Sequence, residues 1–325
     1  MITADSWDRA GRHLAQTRRV VLACHVSPDG DALGSMLGLG LYLTQLGKKV
    51  WMTWGATEVV KPVAFGFLPG IDGICGPDQV PEAPETFVAL DCGHVSRLDV
   101  LTPKFEAAQT TVNIDHHVSN NDYADINLVD PAAASSSELV YELIKRMGGE
   151  LDSDVATCLY TGIVTDTGRF QYSNTTAGTL RAAADLISAG ADHVAVGESV
   201  YESAPFAQLG VLGAMFNRAR LIDGVVYSWV ELADLGELSM EDTDDLIDAL
   251  RSVREAEVAL LLKERPEGGW KGSLRARSDV DVSEIARSLG GGGHVKAAGF
   301  VQQGDPEEVV KRILDKLTAA AGASA

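Results

Sequence analysis

Four short apolar runs in the first half of the chain, residues 20–25, 49–54, 86–91 and 111–115, constrain the fold most, because three of them break off at a carboxylate or an imidazole. Helical patterns alternate with them or follow: residues 32–46, closed by Gly47 just past the end, then 136–147, 153–164 and 176–189. Strand runs alternating with helical patterns predict an α/β fold with a parallel sheet. In an open α/β sheet, ligands bind at the carboxyl ends of the strands. Polar residues far apart in sequence are thereby expected on one rim.

The residues at those ends have a common chemistry. The run VVLACH ends in His25 and continues as HVSPDGDALG, adding Asp29 and Asp31. The run FVALDCG carries Asp91, TVNIDHH carries Asp115, His116 and His117, and the expected helix CLYTGIVTDTG ends in Asp166. Carboxylates converging without a cation repel one another and raise their own pKa values. Divalent metals remove that repulsion. Mixed imidazole and carboxylate donors suit manganese, iron, cobalt or zinc better than magnesium. Two metals about 3.5–4 Å apart form the usual clamp on phosphorus, and Asp91 is placed to bridge them. Each piece alone has a plain reading: Asp-His-His arises by chance, Ser-Pro-Asp-Gly-Asp makes a turn, Asp166 ends a helix, and a lone histidine such as His25 satisfies a core. Their joint occurrence at element ends carries the metal-site reading.

The alternation weakens around residues 190–205, which gives an expected first domain of residues 1–190, a linker of 191–207 and a second domain of 208–325. The second half reads as a smaller α/β unit, with strands near 224–231, 258–264 and 269–277 and helices near 242–252, 282–289 and 306–321. The Ala-rich tail from Thr318 is expected to fray. The acidic stretch 231–248 reads as a solvated surface. Four glycines, Gly290 to Gly293, precede His294; such a run brings backbone amides close to a phosphate, or forms a flexible linker. With Lys296, Arg275 and Arg277, His294 supplies positive charge. Arg169, Tyr172 and Asn174 follow Asp166 and face the site or the surface.

Charge limits the substrate. The chain holds 46 acidic and 27 basic side chains, a formal net charge of −19. A binder of long nucleic acid needs a broad basic face. This surface repels a long polyanion, which favours small anionic substrates held by local positive charge. No apolar run approaches the length of a spanning helix, and the N-terminus lacks a signal-peptide core, so a cytoplasmic protein without membrane contact is expected. None of the four cysteines forms a CxxC pair, and Cys24 and Cys92 read as small buried thiols.

The motifs HVSPDGDALG, LDCG, NIDHH and TGIVTDTGRF resemble those of the DHH phosphoesterase family, and LGGGGHVKAAGF with GSLRARSDVDVSEIA resembles its DHHA1 domain. The resemblance covers nearly the whole chain. It points to the stand-alone members: nano-RNases, 3′-phosphoadenosine-5′-phosphate phosphatases and cyclic-dinucleotide phosphodiesterases. It implies a parallel-sheet DHH domain, a smaller α/β DHHA1 domain and an active site in the cleft between them. His25, Asp29 and Asp91 would hold one metal, and Asp31, Asp91, His116 and Asp166 the other, with manganese the expected ion. His117 would contact phosphate or the nucleophile, and Asp115 would orient a histidine. Arg275, Gly291, Gly292, Gly293 and His294, with Arg169, would grip the substrate.

The expected mechanism is direct hydrolysis by a hydroxide held between the metals, attacking in line with the leaving oxygen. No GxSxG or other nucleophile motif occurs. Three rivals differ at identifiable features. A manganese-dependent inorganic pyrophosphatase of the family carries a different second domain and Asn-Pro-Asp-Thr-Asp in place of Ser-Pro-Asp-Gly-Asp. A RecJ-like exonuclease needs a further oligonucleotide-binding domain and a basic track. A non-catalytic sensor should have lost a ligand, and none is missing. A homodimer is the default assembly.

Overall fold

The computed structural model describes residues 2–243, 246–277 and 280–323, leaving out the side chains of Glu241, His294 and residues 319–323. It divides into two compact units, Met1–Ser203 and Ala204–Ala325. The first unit runs α1 (Ala4–Gln16), β1 (Arg19–Cys24), α2 (Gly30–Gln45), β2 (Lys49–Trp54), β3 (Thr86–Leu90), α3 (Thr102–Glu106), β4 (Thr110–Asp115), β5 (Ile126–Val129), α4 (Ser136–Arg146), α5 (Ser153–Asp166), α6 (Ala177–Ser188) and α7 (His193–Tyr201).

Its five strands lie in the order β2-β1-β3-β4-β5, all parallel. The strands are apolar on both faces because both faces are covered. Leu22, Cys24, Val88, Leu90, Val112 and Ile114 pack into the larger core with residues of α1, α2, α4, α5 and α6. Val21, Ala23, Phe87 and Ala89 pack on the other side against Leu98, Leu101 and Phe105. The strand order reverses between β1 and β3, so the loops leaving these two strands diverge. That is the point at which open α/β sheets form their ligand crevice.

The expected strands are present to within one residue at either end. The four-residue β5, half-exposed in alternation, was not marked by an apolar run. The stretch expected as a linker carries α7, whose Val196 is buried in the larger core.

The second unit runs α8 (Gln208–Arg218), β6 (Arg220–Ile222), β7 (Val225–Val230), α9 (Leu232–Leu235), α10 (Leu246–Arg251), β8 (Val258–Glu264), β9 (Trp270–Ala276), α11 (Val282–Ser288), β10 (Gly292–His294), β11 (Ala297–Gln302) and α12 (Pro306–Ala323). Its sheet has the order β10-β11-β9-β8-β7-β6, antiparallel except for the β7–β8 pair. Residues of α11 and α12 cover one face and residues of α8 and α10 the other.

Two expectations are corrected here. The glycine run is neither a loop nor a linker throughout: Gly292–His294 pairs with Ala297–Gly299 in a hairpin. Two of the four glycines are required by close packing, since a Cβ on Gly291 would lie 2.1 Å from the Gly299 carbonyl oxygen and one on Gly293 2.5 Å from that of Ala297. The Ala-rich tail is helical as far as Ala323 because α12 runs into it, and alanine has the highest helix propensity. Of the expected helix over 242–252, residues 246–251 are α-helical, 241–243 form a 3₁₀ turn, and Asp244 and Asp245 lie outside the described residues.

Helices α2 and α5 cross closely, and both end at the site: α2 begins beside Asp31 and α5 ends at Asp166. A Cβ on Gly34 would lie 2.5 Å from the Cys158 carbonyl oxygen and 2.9 Å from the Gly162 nitrogen. Alanine at position 34 gains roughly 1 kcal/mol of helix propensity but must push two backbones apart. The G34A protein is expected to lose about 1–3 kcal/mol in urea unfolding. In contrast, Gly210→Ala on α8, where a Cβ meets nothing within 4 Å, is expected to be neutral or slightly stabilising.

Candidate metal centre

Asp91 follows β3 and is 3% exposed, with a left-handed backbone (φ 55°) held by its N–H donating to the Ile114 carbonyl at 3.0 Å. Such a backbone costs of order 1–3 kcal/mol in a non-glycine residue and persists where its surroundings dictate it. It lifts the carboxylate to the rim, where its two oxygens face different partners. Oδ2 is 3.4 Å from His25 Nε2. Oδ1 is 3.5 Å from His116 Nε2 and 3.6 Å from His117 Nδ1.

Two donor groups therefore share Asp91. In the first, His25 Nε2 is also 3.7 Å from Asp29 Oδ2, and the ligand atoms of His25, Asp29 and Asp91 lie within 4.8 Å of one another. Asp29 is the N-cap of α2: its Oδ1 accepts from the amides of Asp31 and Ala32 at 3.1 and 3.0 Å, which leaves Oδ2 to face His25. His25 donates from Nδ1 to the neighbouring Val26 carbonyl at 2.8 Å, so Nε2 is the nitrogen turned to the carboxylates, where it takes up either a proton or a cation. In the second group, His116 Nε2 lies 4.0 Å from Asp31 Oδ2 and 3.6 Å from Asp166 Oδ2.

His117 also lies near Asp91, but its Nδ1 donates to Asp115 Oδ1 at 2.7 Å, which makes that nitrogen a poor metal ligand. Asp115, fully buried, is in turn fixed through Oδ2 by the Asn120 amide at 2.6 Å. The sequence-marked residues His25, Asp29, Asp31, Asp91, Asp115, His116, His117 and Asp166 are thus brought together. Arg169, three residues past Asp166, is exposed and left-handed (φ 59°), and its guanidinium stacks 4.1 Å over the Tyr201 ring. In the second unit, half-buried Arg275 lies on β9 opposite Ala259 and Ala297, small neighbours that leave it room. Gly291, Gly292 and Gly293 lie at and in the hairpin, and the His294 side chain is outside the described residues.

Sequence reasoning missed the supports. The amides of Ser136 and Ser137, at the start of α4, donate to Asp31 Oδ2 and Oδ1 at 2.6 and 2.8 Å. The Ser136 hydroxyl donates to Asp91 Oδ1 at 3.0 Å. Asn174 ties the Asp166 carbonyl to the Ala134 carbonyl through one amide group, at 3.1 and 3.0 Å. A serine run before an amphipathic stretch reads as a helix cap, and nothing in its pattern marks it as a carboxylate clamp.

The electrostatics fit divalent cations. Burial, then the charge of Asp91, pushes Asp31 up to about 7. Burial and the neighbouring carboxylates Asp31 and Asp91 push Asp166 up as well. Burial opposes charge on His25, but the facing carboxylates of Asp29 and Asp91 outweigh it and push it up to about 10. Burial alone would raise Asp91, whereas His25 and His116 hold it below the usual carboxylate range. Protons thus balance the cluster when no cation does.

The comparisons with known proteins agree with this chemistry. Residues 19–163 match the DHH family, N-terminal domain, and residues 223–323 the DHHA1 domain. A Thermus thermophilus protein named bifunctional oligoribonuclease and PAP phosphatase NrnA is 35% identical over 298 residues, covering 91% of this chain and 88% of its own. The chain belongs to the DHH family. The crystal structure of an exopolyphosphatase-related protein from Bacteroides fragilis superposes on this DHH chain with a TM-score of 0.90 at 26% identity, covering 98% of this chain and 96% of that one. RecJ from Thermus thermophilus, solved in complex with Mn2+, shares the fold at a TM-score of 0.58 and 15% identity; the match covers 98% of this chain and 55% of RecJ. Enzymes of the DHH family use divalent metals, and the donor set here is of that kind.

Metal ligands must be deprotonated, so cations compete with the protons of this cluster. His25, pushed up to about 10, and Asp31, pushed up to about 7, carry protons wholly or in part near pH 7 in the metal-free protein and lose them on metal uptake; Asp166 is shifted in the same direction. Metal binding is expected to release protons at pH 7 and to weaken as pH falls towards 6. Titration calorimetry with Mn2+ in two buffers of different ionisation enthalpy measures this; equal apparent heats in both buffers would contradict it.

Proposed function

We propose that this DHH hydrolase uses two divalent cations, manganese for preference, to cleave phosphate esters of very short nucleotides. The expected substrates are linear dinucleotides such as pApA, cyclic di-AMP, and 3′-phosphoadenosine-5′-phosphate. One observation carries the reading: the buried carboxylate of Asp91 offers one oxygen to the His25–Asp29 group and the other to the His116 group. Bound there, the cations would supply charge neutralisation on the phosphoryl oxygens and would acidify an attacking water.

The protein's own part is to hold this geometry. His25, Asp29 and Asp91 are the proposed donors to one cation, and Asp31, Asp91, His116 and Asp166 to the other. Asp115 fixes the proton of His117 on Nδ1, which orients the ring for contact with phosphate or the nucleophile. Arg275, with the 291–294 hairpin, is proposed to grip the far end of the nucleotide, and Arg169 to contribute from its stack on Tyr201. Four free cysteines support a reducing, cytoplasmic setting.

The net charge of −19 and the name of the Thermus thermophilus relative both favour short substrates. The DHHA1 match argues against an inorganic pyrophosphatase, and the net negative charge argues against a long-strand exonuclease. Hydrolysis of an oligoadenylate ladder with Mn2+, with a chelator control, tests the assignment. The specificity constant should peak at two to four nucleotides, roughly the span that local positive charge can hold, and fall with length, more steeply at low salt where repulsion is less screened. Preference for the longest rung would overturn the short-substrate reading.

Replacing Arg275 by alanine should remove one charge-assisted phosphate contact, about 1.5–3 kcal/mol. The specificity constant should fall roughly ten- to hundred-fold while metal content is unchanged. Wild-type kinetics in R275A would remove Arg275 from the substrate site.

A further inference from the structure

Ser136 stands at the first helical position of α4 and is fully buried. Its hydroxyl is not needed to cap the helix, because the N-cap is Ser135, whose oxygen accepts the Glu138 amide at 3.1 Å. The hydroxyl instead donates its one proton to Asp91 Oδ1 at 3.0 Å. The Ser136 amide donates to Asp31 Oδ2 at 2.6 Å. One residue thus holds two of the converging carboxylates.

The choice of oxygen is what matters. Oδ1 of Asp91 faces His116, and Oδ2 faces His25. A carboxylate turns readily about its last bond, a broad, roughly two-fold torsion. Free to turn, it could give both oxygens to one cation and none to the other. A hydrogen bond to Oδ1 from a hydroxyl anchored on a helix end blocks that rotation. The Asp91 backbone is fixed separately, by its amide on the Ile114 carbonyl. Main chain and carboxylate plane are therefore set by two independent bonds.

We infer that Ser136 is a positioning residue that divides the Asp91 carboxylate between the two cation groups. The inference rests on the two-cation reading above. Ser136 is fully buried, and without its hydroxyl the Asp91 oxygen would be left without that donor. The His116 group, served by Oδ1, is the one that weakens.

The test is calorimetric titration of the metal-free, full-length protein with Mn2+, together with electron paramagnetic resonance of the Mn2+-loaded protein. Wild type should take up two ions per chain and show the spectrum of a spin-coupled pair. Ser136→Ala should keep one ion at wild-type affinity, bind the other about ten- to hundred-fold more weakly, and lose the coupling. Ser136→Thr, which retains the hydroxyl, should restore both. Melting of the metal-free proteins checks that the fold is intact, and Ser136→Gly provides a second variant without the hydroxyl. Two ions at wild-type affinity with a coupled spectrum in S136A would overturn the inference, as would equal weakening of both ions. Fewer than two ions in the wild type would instead defeat the two-cation reading.

Discussion

A carboxylate that is 3% exposed must be balanced by positive charge or by hydrogen bonds, and Asp91 is the point where this requirement is concentrated. Asp31 and Asp166 converge on the same imidazole that Asp91 faces. Three like charges so close would push the site apart if nothing compensated them. Burial first, and then that repulsion, raises the pKa values of Asp31 and Asp166, and the imidazoles of His25 and His116 offset both at Asp91. A pair of divalent cations offsets it more fully and leaves the carboxylates charged.

The surrounding structure serves the same constraint. The sheet reverses its strand order between β1 and β3, and the ends of these paired strands bring His25 and Asp91 side by side. The crossing of α2 and α5 sets Asp31 and Asp166 against His116 from different elements. The start of α4 donates two amides to Asp31, so an unsatisfied helix end meets an unsatisfied anion. Beyond the donors, Asn120 holds Asp115 and Asn174 holds the main chain at Asp166, so neither loop is left to find its own position.

Much of this was legible in the sequence, for a definite reason. Strands β1, β3 and β4 are buried on both faces, so they appear as unbroken apolar runs, and a charged residue at the end of such a run stands out. The site residues of the first unit were marked in this way, or by the helix ending at Asp166. Elements that bury little were not marked: β5 has four residues, and β6 is exposed along its length. The glycine run left several local structures open because glycine serves equally in a linker, a phosphate loop and a close-packed hairpin. Only the pairing with β11 tells them apart.

The sequence by itself determined which residue types meet, the parallel α/β plan of the first unit and the sign of its surface charge, because apolar periodicity and composition are local properties of the chain. Tertiary structure alone decided which oxygen of Asp91 faces which histidine, that His117 Nδ1 donates to Asp115 and is thereby turned from metal binding, and that serines at the head of α4 clamp two carboxylates. Those are matters of orientation at a few tenths of an ångström. They depend on where helices end in space, and a hydroxyl that caps a helix and one that steers a carboxylate are written with the same letter.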